Sequence, residues 1–510
     1  MDKIIILDFG SQYTQLIARK IRELNVYSEI VPFNITAEKL SQYKPDGLIL
    51  SGGPSSVYEK NAPHADEKIF DLNIPILGIC YGMMEIVYRF GGTVIKASER
   101  EYGKANLIID GKTPLFYGIK NKSVMWMSHG DKVTVIPEGF ISKAYTSNSE
   151  YAVIENIKKR IWGIQFHPEV HHSERGKEIL CNFIERICKI GRTWNISSFI
   201  DSEIEKIRKQ IGNDKVILGL SGGVDSAVAC FLLKKAVGDN LYSIYIDTGL
   251  MRKGEKEEIY NVFSPMLGER FISLNESEIF IERLKGVEDP EKKRKIIGKT
   301  FIKIFERTAK RIKGVKYLAQ GTLYPDMIES ISVLGPSKTI KSHHNVGGLP
   351  NRMKLKLIEP LKMLFKDEVR EMGKILGVPD NIIKRHPFPG PGLSIRMIGA
   401  INDSDLCILR EADDIYIEEL KKNGLYDEIW QAFAVLLPIK TVGVMGDNRT
   451  YEKVLSLRAV VSVDGMTANF YHMPYEIMEK ISNRIINEVQ GINRVVFDIS
   501  SKPPATIEWE

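Results

Sequence analysis

The chain has 510 residues, 43 % of them hydrophobic and 27 % charged, with a formal net charge of +6. That length exceeds a single hydrophobic core, so roughly two to four domains of an ordinary soluble protein are expected. The small charge excess demands no nucleic-acid partner. No apolar stretch reaches the length of a membrane span, and five widely spaced cysteines point to a reducing cytoplasm.

The opening Met1-Asp2-Lys3-Ile4-Ile5-Ile6-Leu7-Asp8 is too short and too acidic for a signal peptide. Further on, Ile74 to Ile79 is an apolar run that predicts a short buried strand. Gly78-Ile79-Cys80-Tyr81-Gly82 follows, and Met83 to Phe90 predicts a helix. A cysteine between glycines on a strand-to-helix turn is presented to substrate, and N–H groups at the helix start favour its thiolate. The ordinary reading of a single cysteine is a small buried thiol. A partner motif, Gln165-Phe166-His167-Pro168-Glu169, favours the nucleophile instead. It follows the strand-like Ile161 to Ile164, so His167 falls at a strand end where it can act as base, with Glu169 two residues on to orient it. His129, in Ser128-His129-Gly130-Asp131, is a weaker competitor.

Together with Leu50-Ser51-Gly52-Gly53-Pro54, these segments resemble the class I (triad) glutamine amidotransferases over residues 1–190. The resemblance implies Cys80 as nucleophile, His167 as base, Glu169 as third triad member, and N–H groups near Gly53 and Tyr81 as the oxyanion hole. One departure is Met84, where many members carry glutamine.

Lys215 to Leu220 predicts a second buried strand, running into Ser221-Gly222-Gly223-Val224-Asp225-Ser226 and a helix from Ala227 to Val237. Strand, glycine-rich turn and helix start make an anion cradle. It differs from the Gly-x-x-x-x-Gly-Lys-Ser/Thr loop that grips a transferred γ-phosphate. The string resembles the PP-loop of ATP pyrophosphatases, which implies that Ser221 to Ala227 hold the departing pyrophosphate of ATP and that Asp225 helps hold Mg²⁺. The apolar run Leu241 to Ile246 ends in Asp247, a candidate adenosine-side residue at a neighbouring strand end. Asp326 follows the strand-like Tyr317 to Gln320 and is a second metal candidate, or equally a turn aspartate.

Residues 283–316 carry a dense basic cluster, including Lys292-Lys293-Arg294-Lys295. Charge runs are usually solvated helix faces; the alternative is a polyanion site. Lys341-Ser342-His343-His344-Asn345-Val346-Gly347-Gly348-Leu349-Pro350 is polar and glycine-rich, and its length and make-up favour a lid over the nucleotide, carrying Lys341, His343 and His344, above a simple surface connection. No Cys-x-x-Cys spacing occurs, and the pairs His171-His172 and His343-His344 lack nearby ligand spacing, so no structural metal is expected.

Arg385-His386-Pro387-Phe388-Pro389-Gly390-Pro391-Gly392-Leu393 breaks the preceding helical pattern and marks a boundary. Helix-like segments (405–422, 475–490) and strand-like ones (441–445, 494–499) then predict a smaller α+β domain. The tail, Lys502 to Glu510, carries paired prolines, Ile507 and Trp509, and is expected to dock with Trp509 covered. The fold expected is therefore α/β: an amidotransferase domain (1–190), a PP-loop domain (195–384), both built on parallel sheets, and an α+β domain (385–510).

Over essentially its whole length the chain resembles the family of glutamine-hydrolysing GMP synthases, most specifically at 341–350, 385–393 and 502–510. That resemblance implies glutamine, ATP with Mg²⁺ and xanthosine monophosphate (XMP) as small-molecule partners, a homodimer formed by the third domain, and no nucleic acid or membrane. It implies XMP contacts from Arg385, Pro389, Gly390, Pro391, Gly392, Lys502, Thr506, Ile507 and Glu508. The rival readings are another glutamine-dependent ATP pyrophosphatase, which leaves the tail without a reason, and a PP-loop enzyme modifying tRNA, for which no RNA-binding module is visible. A regulatory sensor with dead chemistry is a third, opposed by the intact Cys80, His167 and Glu169 set.

Overall fold

The computed structural model describes residues 2–331, 355–446, 448–462, 465 and 467–510. Residues 2–199, with 325–331, form one compact unit; residues 200–324 and the described part of 343–510 form another.

The first unit is organised by a nine-stranded sheet. Its strands are β1 (Lys3–Asp8), β2 (Tyr27–Pro32), β3 (Gly47–Leu50), β4 (Ile76–Ile79), β5 (Thr93–Ile109), β6 (Lys122–Val135), β7 (Ile141–Tyr145), β8 (Val153–Asn156) and β9 (Ile161–Ile164). The order is β2-β1-β3-β4-β9-β8-β7-β5-β6. From β2 to β9 every pairing is parallel, and from β9 to β6 every pairing is antiparallel. The parallel half explains the continuous apolar runs: β3, β4 and β9 are buried along their whole length, as strands covered on both faces must be. Ile5, Leu7, Leu48, Leu50 and Ile76 pack there against Met83, Ile86 and Val87 of the helix Tyr81–Arg89. That helix begins immediately after Cys80, two residues earlier than the apolar pattern predicts.

The second unit contains a five-stranded, wholly parallel sheet of β10 (Lys215–Leu220), β11 (Leu241–Asp247), β12 (Phe271–Asn275), β13 (Val315–Ala319) and β14 (Lys356–Ile358). The order β12-β11-β10-β13-β14 puts β10 at the centre. The chain moves outward from β10 to β12, then returns to its other side at β13, so the strand order reverses there. Ligands of doubly wound sheets bind in the crevice opened by such a reversal.

The same unit carries a sheet in which β15 (Gln431–Met445) and β16 (Asn448–Val461) form a long antiparallel hairpin. β17 (Asn469–Phe470) pairs antiparallel and β18 (Ile492–Asp498) pairs parallel to β16. Only the end of β15 was visible in the sequence pattern, because its first half is buried and lacks alternation. Helices Asp403–Lys422 and Tyr475–Glu488 supply Leu409, Tyr416, Ile481 and Ile485 to a core shared with Leu455 and Leu457. That core runs on without a break to Ile217 and Ile244 of the parallel sheet. The second and third segments therefore share a hydrophobic interior although composition changes sharply at the proline–glycine string.

Candidate functional site

Cys80 occupies a backbone conformation that few L-residues adopt, φ +54° and ψ −107°. Three glycine-dependent approaches enforce it. A Cβ on Gly78 would lie 2.5 Å from the Gly82 backbone, one on Gly82 would lie 2.3 Å from the Leu50 carbonyl, and one on Gly53 2.8 Å from the Phe9 carbonyl. The Cys80 N–H donates to the Ile164 carbonyl at 2.8 Å, which ties the turn to the end of β9. Positive-φ strain of this kind is held only where the surroundings over-determine it.

The stretch after β9 brings His167 to the same place. Its N–H donates to Trp126 O at 2.9 Å, and Ser173 Oγ donates to the His167 carbonyl at 2.6 Å. The ring lies edge-on to Tyr13 and 3.2 Å from where a Gly52 Cβ would stand. Nδ1 is 2.7 Å from Glu169 Oε1, and both side chains are buried. Burial alone disfavours the imidazolium, but the Glu169 and Cys80 charges and their hydrogen bonds outweigh it, raising the His167 pKa well above its ordinary value. The sequence-predicted Cys80, His167 and Glu169 are thus assembled in one place. The Cys80 thiol donates to the Ser128 carbonyl at 3.8 Å, a contact nothing in the sequence signalled. His129 is otherwise engaged: Nε2 faces Glu101 Oε2 at 3.2 Å and Nδ1 is 2.9 Å from the Asp131 carbonyl. Gly53 lies against the Tyr81 ring, and no acceptor among the described residues takes the N–H of either residue. Two such donors beside a nucleophile can receive an oxyanion. Met84 is buried in the core of this unit.

In the second unit, the turn after β10 is closed by its own serines. Ser226 Oγ donates to the Gly223 carbonyl at 3.0 Å and lies 3.1 Å from Ser221 Oγ. Gly222 has φ +81°, and the helix Val224–Val237 starts at Gly223 without a side-chain cap. A helix start of this kind presents N–H groups suited to an anion. Asp225 stands in the first turn of that helix, and Gly321 of the loop after β13 comes so near that its Cβ would lie 3.2 Å from Asp225 C. Asp247, at the end of β11, accepts from the Gly249 N–H at 2.9 Å and is 3.3 Å from Lys256 Nζ. Asp326 is in the first turn of the helix Tyr324–Ile331. Lys341, His343 and His344 lie outside the described residues.

The proline–glycine string is fastened to the loop after β11. The Leu393 N–H donates to Leu250 O at 2.8 Å, and Gly392 (φ +64°) approaches so closely that a Cβ would lie 2.3 Å from that same oxygen. The tail docks against the string. Gln431 Nε2 bridges the Pro387 carbonyl (3.0 Å) and Glu508 Oε1 (2.6 Å), and Arg396 Nη2 is 2.9 Å from Glu508 Oε1. Arg458, fully buried, donates to Ile507 O (2.8 Å), Thr506 O (2.9 Å) and Asp498 Oδ2 (2.7 Å). Lys502 pairs main chain to main chain with Ala468, and its Nζ donates to Gly465 O at 2.8 Å. Pro387 and Arg396, which flank Pro389 to Gly392, are thereby linked to the tail residue Glu508. Arg385 instead turns toward Gly222.

Arg396, Gln431 and Arg458 were missed from sequence, though a signal existed. An arginine within an apolar run, as in Leu455-Ser456-Leu457-Arg458-Ala459-Val460, must be buried with partners. Two expectations need correction. Trp509 donates Nε1–H to Asp498 at 2.9 Å but keeps 39 % of its surface exposed, because the polar edge rather than the ring is anchored. The basic cluster is not only a solvated face: Lys293 is fully buried, donating to Ser394 O, Met397 O and Glu510 Oε2 at 3.0, 2.8 and 2.6 Å. Among the described residues, no helix is long and apolar enough to cross a membrane, and no three His, Cys, Asp or Glu side chains gather to hold a metal.

Three family models match: glutamine amidotransferase class-I over residues 5–187, NAD synthase over 195–285, and GMP synthase C terminal domain over 418–509. The chain is 58 % identical to a GMP synthase [glutamine-hydrolyzing] of Nitratiruptor sp., with 99 % of each chain covered. It is 58 % identical to one of Aquifex aeolicus, again over 99 % of each, and 57 % identical to one of Chlorobium chlorochromatii over 100 % of each.

Proposed function

The chain belongs to the family of glutamine-hydrolysing GMP synthases, and on that premise we propose how its residues divide the work. The overall activity is a carbon–nitrogen ligation: GMP is made from XMP with glutamine as nitrogen donor, a step of purine biosynthesis. The observation that carries this is end-to-end similarity to relatives of that name, in a chain that also assembles Cys80, His167 and Glu169.

In the first unit, the Cys80 thiolate attacks the side-chain amide carbon of glutamine. The N–H groups of Gly53 and Tyr81 receive the developing oxyanion, and the His167 imidazolium gives its proton to the departing ammonia. Neutral His167 then takes a proton from water as the γ-glutamyl thioester is hydrolysed, and Glu169 holds the ring in one tautomer throughout. The product leaves as unprotonated ammonia, the form that is nucleophilic.

In the second unit, the Ser221–Ala227 turn and the helix start behind it hold the β- and γ-phosphates of ATP, with Asp247 on the adenosine side. Pro389, Gly390, Pro391, Gly392, Lys502, Thr506, Ile507 and Glu508 hold XMP. The C2 oxygen of XMP attacks the α-phosphate, forming adenylyl-XMP and releasing pyrophosphate; ammonia then displaces AMP at C2. Mg²⁺ is supported by the donor set, since Asp225 is a hard oxygen ligand beside a phosphate cradle. When bound with ATP it offsets charge on the leaving pyrophosphate.

The PP-loop and α+β domains are taken to meet near residue 385. The third segment is proposed as the homodimer surface, supported by Val442, Val444 and Tyr451, which stand exposed on the β15–β16 hairpin. The five free thiols support a cytoplasmic location. Product analysis tests the whole scheme. XMP, ATP, Mg²⁺ and glutamine should yield GMP, AMP, pyrophosphate and glutamate, and ammonium salts should replace glutamine. Absence of AMP would overturn the adenylylation step.

A further inference from the structure

The contacts of Arg385 point away from the purine. Nη1 donates to the Gly222 carbonyl at 2.8 Å and lies 2.9 Å from Glu255 Oε1; Nη2 pairs with Glu258 Oε2. The guanidinium side chain is 10 % exposed, and Glu255 is buried. Asn381 Nδ2 in turn holds the other oxygen of Glu258. One fork is thus fixed by two carboxylates and delivered to one main-chain oxygen of the glycine-rich turn.

That oxygen belongs to the Gly222–Gly223 peptide. A trans peptide is planar, and its C=O and N–H point to opposite sides. Fixing the Gly222 carbonyl toward Arg385 therefore aims the Gly223 N–H the other way. That N–H is only loosely held, 3.4 Å from Ser221 Oγ. A Gly-Gly peptide has little intrinsic preference between its two flipped orientations. Without an external hold, the turn would present a carbonyl to the phosphates part of the time, which repels rather than binds.

We propose that Arg385 is a positioning residue of the glycine-rich turn. It locks the Gly222–Gly223 peptide so that the Gly223 N–H faces the pyrophosphate, and it does not contact XMP. The inference rests on the reading of Ser221 to Ala227 as the pyrophosphate-holding turn. Lysine cannot replace the fork: its single ammonium cannot span the Gly222 carbonyl and both carboxylates in plane.

The test uses the full chain with ammonium chloride as nitrogen donor, and magnesium pyrophosphate as an inhibitor competing with ATP. Arg385→Lys should raise the pyrophosphate inhibition constant and the KM for ATP about ten-fold, and Arg385→Met about a hundred-fold, the range for loss of a charge-assisted hydrogen bond. The KM for XMP should stay within about two-fold. Glu258→Gln, which keeps an acceptor but not the charge, should give a smaller change in the same direction. A raised KM for XMP with ATP and pyrophosphate unchanged would overturn the proposal, as would a fall in kcat alone that tracks a lowered Tm. Ser221→Ala separates the two readings. If it weakens pyrophosphate while Arg385→Lys and Arg385→Met do not, only the role of Arg385 falls. If none of the three weakens pyrophosphate, the reading of the turn falls and this inference with it.

Discussion

The Nδ1 of His167 stands 2.7 Å from Oε1 of Glu169, with both groups out of reach of bulk water. Although burial opposes the imidazolium, the Glu169 charge is the strongest influence raising its pKa, ahead of Cys80. Glu169→Gln keeps the shape and removes that charge, so the pKa of His167 should fall. The active form pairs thiolate with imidazolium, and the alkaline limb of glutaminase activity is lost as His167 deprotonates. The limb should move to lower pH in the variant, with kcat at neutral pH reduced roughly hundred-fold. An unmoved limb in a pH profile would separate Glu169 from the base.

Cys80→Ala removes the nucleophile of the first unit and touches nothing in the second unit's chemistry. Synthesis from glutamine should vanish, while synthesis from ammonium salts continues near its original rate. Parallel assays with the two donors decide this, and loss of both would break the modular scheme.

The strained turn makes a sharper demand. A methyl group at position 82 would overlap the Leu50 carbonyl at 2.3 Å, and backbone cannot yield as a flexible side chain can. Gly82→Ala should cost about 1–3 kcal/mol in stability and displace Cys80 from His167. Glutaminase activity should fall far more than the midpoint of urea unfolding implies. Activity kept at the wild-type level would mean that the turn relaxes without moving the thiol.

Arg458 holds the tail through two main-chain carbonyls and is itself held by Asp498. Arg458→Lys should lose the forked contacts and raise the KM for XMP about ten-fold or more, leaving the KM for ATP nearly unchanged. Steady-state kinetics with each substrate varied in turn reads the difference. An unchanged KM for XMP would make the tail purely structural.

His386 offers a pH-dependent stability test. Its Nδ1 accepts from the Ala432 N–H at 3.2 Å, its Nε2 faces the Tyr426 carbonyl at 2.8 Å, and its ring stacks on Tyr426. Burial pushes its pKa down to about 4. The unfolded chain therefore binds this proton near the ordinary value of about 6.5, while the folded chain resists. Stability is fully present above that value and is lost as pH falls toward 4. The total loss is of order 3 kcal/mol. Glutamine retains both hydrogen-bonding roles, so the stability gap between wild type and His386→Gln should narrow across this window in urea unfolding. A constant gap would show that His386 titrates normally.

The catalytic chemistry was legible because it is local. Cys80 between glycines, His167 two residues from Glu169, and Ser221 to Ser226 between a strand and a helix each encode their geometry within a few residues. Helix-start donors depend on neighbours in sequence, whereas the strain at Cys80 is held by the distant Leu50 and Phe9 carbonyls. The sheets were legible in part: β4, β9, β10 and β11 appear as unbroken apolar runs because parallel strands are covered on both faces. The first half of β15 and the two-residue β17 left no such mark.

By itself, then, the amino-acid sequence determined which chemistries this chain carries, since a nucleophile, a base and an anion cradle need particular residue types at short spacing. Only the tertiary structure decided which distant side chains support them. Arg385 meeting Gly222, Arg458 meeting Thr506 and Ile507, and Lys293 meeting Glu510 span 163, 48, 49 and 217 residues. A buried cation must find oxygen acceptors somewhere, but which ones is set by how helices and sheets pack, and no local pattern records that.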